Sequence, residues 1–288
     1  MPEQLAKQFT AKGVTFSMQD HLMMIHVEND FATASITTHG ASVLSFTPKG
    51  GQDLLWVSPT AIYNGEKPVR GGIPVCWPWF GPAKQAGLPA HGFVRNQVWH
   101  LDHVANLDSG VTEIVLTFDP TEDSLKLWPH QFHLELRVEV GEKLAVSLTT
   151  TNKNDYDIEI TEALHTYFNV AESAGLLISG VENTTEHNTL VKPIESAKRS
   201  QAITLTPPMD SVFTNQTTDL VIHDQKNRRK ILIEKQQAAS TVVWNPGPEI
   251  IKGFADVPEA CWTDFVCVEA GNVFENAITI PAGEKHAM

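Results

Sequence analysis

Five short segments of this chain depart from simple apolar alternation, and each carries a side chain able to bind or to move protons. The first is V-R-G-G-I-P-V-C-W-P-W-F-G, Val69 to Gly81, with one charge, Arg70, among aromatic and apolar residues. Pro74 and Pro78 break any ladder and Gly71-Gly72 permit close backbone approach, so the segment reads as a shaped loop. A guanidinium held flat by aromatic walls can grip an anion with two parallel hydrogen bonds; its structural alternative is bonding to loop carbonyls. The second is A-H-G-F-V-R-N-Q-V-W, Ala90 to Trp99, with His91 beside a glycine and Arg95 at the mouth of a strand expected to run to Trp99. Two loops, each offering an arginine, make a better anion site than one. The third is T-E-A-L-H-T-Y-F-N-V, Thr161 to Val170; as a strand it places His165, Tyr167 and Asn169 on one face. The fourth is D-F-V-C-V-E-A-G-N, Asp264 to Asn272, where Glu269 shares a face with Phe265 and Cys267. An acid on an apolar face needs a role or a partner, unless the strand ends there in water. The fifth, P-P-M-D-S-V-F, holds Asp210 in an expected loop.

Other chemistries find no footing. His130 and His133 form a close histidine pair, and an i,i+3 spacing on a strand sends them to opposite faces. There is no H-E-x-x-H, H-x-H or cysteine tetrad, so no metal site is expected. No G-x-G-x-x-G, Walker or G-x-S-x-G motif occurs, so no nucleotide cofactor and no serine hydrolase is indicated. Asp+Glu number 34 against 21 Lys+Arg, a net charge of −13, which argues against nucleic acid and anionic membranes as partners. A small anionic ligand needs only a few local cations. The three cysteines, Cys76, Cys261 and Cys267, suit neither a disulfide scaffold nor a thiolate zinc site. The start, M-P-E-Q-L-A-K-Q-F-T, lacks an apolar signal region, and no apolar run approaches the ~18 residues of a membrane span. A cytoplasmic protein is expected, with a monomer as the default.

The elements that must position these residues are strands. Phe132 to Val140 alternates apolar and polar, Gly141-Glu142 turns, and Lys143 to Thr150 answers with a second strand. Val111 to Phe118 alternates likewise. Met23–Val27, Ala32–Thr37 and Val43–Phe46 read as an N-terminal meander. Further strands are expected at Ile158–Leu164, Leu176–Ile178, Ile203–Leu205, Leu220–Ile222, Lys230–Ile233, Thr241–Trp244 and Asp264–Glu269, with the last at Ala277–Ile280. Helical signals are confined to Pro2–Lys12 and to short turns at Ala83–Gly87 and Pro258–Trp262. Many short strands with regular turns indicate an all-β sandwich or barrel. With no linker or charge block in the middle, residues 1–288 read as one domain.

Taken together, R-G-G-I-P-V-C-W-P-W-F-G, L-P-A-H-G-F-V-R-N, L-H-T-Y-F-N-V and D-F-V-C-V-E-A-G-N-V resemble the aldose 1-epimerase superfamily, within it the glucose-6-phosphate 1-epimerase branch. The resemblance implies a large galactose mutarotase-like β-sandwich with its site in a cleft on one sheet. It implies His165 as catalytic acid, Glu269 as catalytic base, Arg70 and Arg95 as phosphate ligands, and His91 and Asp210 as sugar contacts. Ala90 stands where some members place a polar contact. The implied activity is interconversion of hexose 6-phosphate anomers by ring opening and closure, without cofactor or metal. Carboxylates near His165 are expected to favour its imidazolium form. Three readings stand beside this one: a mutarotase of unphosphorylated aldoses, a non-catalytic sugar-phosphate-binding protein, and a glycoside hydrolase using Asp210 and Glu269, which would leave His165 and the arginines idle.

Overall fold

The computed structural model describes residues 2–288, and its architecture is all-β, as the alternation predicts. Four consecutive antiparallel strands, Val14–Gln19, Leu22–Glu28, Ala32–Thr37 and Ser42–Pro48, form the N-terminal meander. Behind it lies a five-stranded sheet. His100–Asn106, Thr112–Phe118, Phe132–Val140 and Leu144–Asn152 follow in order, and Lys285–Ala287 closes its edge. Phe132 to Val140 alternates buried and half-buried at every position, as the hydrophobic period requires. Between these two sheets lies the larger core, including Ile25, Ile36, Trp77, Trp99, Ile114, Leu116, Leu134 and Val138. Each fully buried side chain of this size contributes roughly 1.5–3 kcal/mol.

The sheet that matters for chemistry is the largest. Its strands run, in spatial order, Glu195–Lys198, Thr185–Asn188, Met209–Thr214, Ser240–Asn245, Phe265–Asn272, Glu162–Leu164 and Val75–Cys76, with Tyr167–Asn169 also paired to Phe265–Asn272. One face packs Phe213, Val243, Val266 and Val268 against Ile178, Ile222 and Ile231 of a smaller four-stranded sheet. The other face carries Phe265 and Cys267 against Trp56 and Tyr167. Because side chains alternate, Glu269 follows Phe265 and Cys267 onto this second face.

Several expected boundaries are corrected. Ile158–Leu164 is two strands: Ile158–Ile160 pairs with Ile278–Ile280, then the chain changes sheet at Thr161. Thr161 N–H donates to Pro78 O at 3.0 Å, and its hydroxyl accepts from Phe80 N–H at 2.8 Å, so the switch point anchors the aromatic loop. Asp210 lies on the Met209–Thr214 strand, not in a loop; Val212 and Phe213 are buried on opposite faces, which erases the alternation. Arg95 sits in a 3-10 turn, Val94–Asn96, and the next strand begins only at His100. Ile278–Ile280 is followed by one more strand, Lys285–Ala287, recruited by Leu144–Asn152 from more than a hundred residues away. The helix Glu122–Leu127 was not expected; a capping box of Thr121 and Ser124 starts it. Among the described residues no helix is long and apolar enough to cross a membrane.

Candidate active site

Strand register assembles the site. Asp210 lies opposite Trp244, Trp244 opposite Cys267, and Cys267 opposite Tyr167, so one row crosses four strands. Glu269 stands two residues beyond Cys267, opposite Val242. The strand runs on to Asn272, and Glu269 is 1% exposed, so it is not a strand end in water. His165 occupies the break between Glu162–Leu164 and Tyr167–Asn169, its N–H donating to Pro74 O at 2.9 Å. Its ring lies flat on Tyr167, centroids 4.9 Å apart and planes 11° apart, with Trp244 edge-on at 6.0 Å. That stack fixes the imidazole's direction.

His165 Nδ1 stands 3.4 Å from Glu269 Oε1, without hydrogen-bond geometry. Both His165 Nδ1 and Glu269 Oε2 are buried with no hydrogen-bond partner among the described residues. Buried polar atoms are rarely left unpaired, and two on neighbouring side chains mark a place where a ligand's polar atoms belong. Burial drives the Glu269 carboxyl well above the usual carboxylate range; Asp210 pushes it the same way and Arg95 opposes. Burial also drives His165 well below its ordinary value, with His91, Arg95 and Arg70 adding to the effect. The expectation of a favoured imidazolium is therefore overturned: desolvation, then His91 and two guanidiniums, disfavour the charged ring.

His91 completes the first ring of contacts. Its φ of 62° lies in the left-handed region, it meets Phe80 edge-on at 4.7 Å, and its ring meets His165 at 5.7 Å. Gly81 N–H donates to its Nδ1 at 3.4 Å, which leaves the proton on Nε2. Burial first, then Arg95, lowers His91 to about 3, so it is a neutral donor. Arg95 donates from Nη2 to Ala90 O at 3.0 Å, while its Nε is buried without a hydrogen-bond partner among the described residues. Arg70 is gripped from three sides. Nε donates to Asp256 Oδ2 at 3.2 Å, the guanidinium lies 4.8 Å over the Phe254 ring, and Tyr167 interacts with it electrostatically. Burial opposes its charge, and Tyr167 and Asp256 more than offset this. Burial raises Asp210, moderated by a hydrogen bond from Thr189 and by Lys192.

The six residues singled out in the sequence thus share one face of the large sheet and its bordering loops. Asn169 does not join them: its amide donates to Asp53 O at 3.2 Å, and it lines a separate concavity of about 340 Å³ beyond Trp56. Tyr167 and Asp256 do join them, and neither was assigned a role from sequence. Asp256 lies 186 residues from Arg70, a separation no local pattern reveals. Burial raises the Cys76 thiol to about 12 and pushes Cys267 up as well, so both act as small apolar packing. Among the described residues no group of three or more His, Cys, Asp or Glu is arranged to hold a metal ion.

With this geometry in hand, the relatives are informative. The sequence profile of the family described as aldose 1-epimerase matches residues 23–288. The chain is 36% identical over 266 residues to the "Putative glucose-6-phosphate 1-epimerase" of Escherichia coli (strain K12), spanning 89% of this chain and 85% of that protein. A protein of the same name from Salmonella typhimurium (strain LT2) is 36% identical over 256 residues, 87% of this chain and 83% of that one. The crystal structure of a "putative mutarotase" from Salmonella typhimurium superposes with a TM-score of 0.87 at 31% identity, over 95% of this chain and 91% of that one.

Proposed function

The chain belongs to the aldose 1-epimerase family, and from that premise we propose that it interconverts the α and β anomers of a hexose 6-phosphate, glucose 6-phosphate first among them. The observation that carries this reading is the buried His165–Glu269 pair, 3.4 Å apart with unpartnered atoms, flanked by two arginines. Mutarotation needs one acid and one base acting together on the C1 hydroxyl and the ring oxygen. Burial disfavours charge on either member of the pair, so it rests as an imidazole carrying its proton on Nε2 and a carboxyl carrying its own. Transfer of that proton from Glu269 to His165 Nδ1 gives a carboxylate and an imidazolium with no change in net charge. Glu269 then takes the C1 hydroxyl proton while His165 gives its Nε2 proton to the ring oxygen. The C1–ring-oxygen bond breaks, its electron pair staying on oxygen, and the C1–O bond becomes the aldehyde carbonyl. Rotation about C1–C2 and the reverse transfers close the ring on the other face. Each positioned transfer is worth roughly 10²–10⁴-fold, and His91 Nε2–H and Asp210 are placed to hold sugar hydroxyls.

Arg70 and Arg95 hold the phosphate at the C6 end. Asp256 and Tyr167 keep the Arg70 guanidinium in one orientation, which limits what is lost on ordering it around an anion. The same partners also favour a second reading, a mutarotase of free aldoses in which both arginines merely brace their loops. Magnetisation-exchange NMR separates the two: the enzyme accelerates anomer exchange of glucose, galactose or mannose 6-phosphate at lower concentrations than the free sugars. Equal KM and kcat for glucose and glucose 6-phosphate would move the assignment to free aldoses.

A further inference from the structure

Each arginine stands one ring away from the catalytic histidine. Arg70 interacts electrostatically with Tyr167, and the Tyr167 ring lies flat on the His165 imidazole at 4.9 Å. Arg95 is tied at 3.0 Å to the carbonyl of Ala90, the residue before His91, and His91 meets His165 at 5.7 Å. The groups acting on the pair are thus Arg70, Arg95, His91 and Tyr167 around it, with Asp210 acting on Glu269. After burial, the positive charges work in one direction: both arginines oppose a proton on His165, and Arg95 also opposes one on Glu269. Two cations therefore press on a pair whose chemistry needs a proton, and Arg95 still carries a buried Nε with no partner among the described residues.

We propose that the substrate's phosphate dianion, seated between Arg70 and Arg95, activates the His165–Glu269 pair as well as holding the sugar in register. This rests on the phosphate reading above and goes beyond it. A dianion between two guanidiniums cancels their field at the imidazole, and the proton that field repels becomes available. Part of the phosphate's binding energy then appears in turnover rather than in affinity, as expected when a remote substrate group prepares the reacting centre. No covalent step or co-reactant is involved, since the only change is where the pair's proton is held.

The test splits the substrate in two. D-Xylose is glucose without its C6 arm, so it leaves the arginine end open for inorganic phosphate supplied separately. Exchange of xylose anomers is followed by NMR at rising phosphate, with the enzyme-free rate subtracted at each concentration because phosphate itself catalyses mutarotation. We expect the enzyme-dependent rate to rise roughly tenfold, the size of an ordinary coupling between two sites. The rise should saturate where phosphate competes with glucose 6-phosphate and be absent from Arg70→Ala and Arg95→Ala. Phosphate that competes with glucose 6-phosphate but leaves xylose exchange unchanged or slower overturns the activation and keeps the clamp. Phosphate that does neither removes the clamp, and the activation with it. The wild-type response alone decides, whether or not the variants fold.

Discussion

At the scale of single residues, the burial that suits Glu269 to its proposed role makes it a burden on the fold. A carboxyl whose pKa is raised by folding contributes stability below its unfolded value and loses it as pH rises through the folded value. Glu269→Gln removes that dependence. We expect it to abolish most anomerisation, roughly 10²–10⁴-fold, yet to melt at a higher temperature than wild type at neutral pH. The difference should open as pH climbs through the ordinary carboxylate range and vanish below it. Thermal melts from pH 3.5 to 8 check the sign, and a variant less stable at pH 7 would mean that Glu269 is ionised and well solvated. His165→Asn should lose exchange to a similar degree with secondary structure unchanged by circular dichroism. In the proposed assignment Arg70 holds the phosphate end of the substrate. Arg70→Ala should raise KM for hexose 6-phosphates roughly ten- to a hundredfold, the loss of about 1.5–3 kcal/mol from a charge-assisted contact. KM for free hexoses should hardly move. An unchanged KM on the phosphate ester would remove Arg70 from the clamp.

At the scale of elements, the site depends on backbones that approach too closely for a side chain. Gly92 has φ +72°, and a Cβ there would meet Trp77 O at 1.8 Å, in the bridge that joins the two arginine-bearing loops. Gly81 has φ +71° but open space around its Cβ position. Gly81→Ala should therefore show only the left-handed strain of about 1–2 kcal/mol. Gly92→Ala should lose more than that in urea unfolding and should also displace His91 and impair turnover. Equal losses at the two glycines would mean that the Trp77–Gly92 approach relaxes freely. Such contacts explain what was legible in the chain and what was not. The Phe132–Val140 and Leu144–Asn152 hairpin is written in its own alternation, since each strand has one core face. The L-H-T-Y-F and V-C-V-E segments pointed to His165 and Glu269 because a polar group interrupts an apolar pattern. Asp210 was misplaced because its strand is buried on both faces after Pro207-Pro208. Asp256 and the Lys285–Ala287 strand were invisible because their partners are brought near only by the finished fold.

At the scale of the whole molecule, the chemistry stands on a sheet whose reverse face is solid core. Val266 and Val268 pack into that core while Phe265, Cys267 and Glu269 face the site. Rigid backing of this kind holds Glu269 in register, while the loop carbonyl of Pro74 anchors His165. The net charge of −13 poses a separate problem, because the proposed substrate carries a dianion. Distant surface carboxylates repel it, whereas Arg70 and Arg95 attract it only at close range, from half-buried positions. Salt distinguishes these effects. The Debye length shortens from about 30 Å at 0.01 M to about 8 Å at 0.15 M, which screens exposed charges across the molecule far more than a seated ion pair. Accordingly, kcat/KM for glucose 6-phosphate should rise roughly two- to fivefold over that range, as long-range repulsion is removed. The value for free glucose should stay flat. Exchange rates measured at fixed pH with added sodium chloride provide the check. A steady fall with salt for the phosphate ester would mean that the cations of the cleft, not the acidic surface, govern its approach.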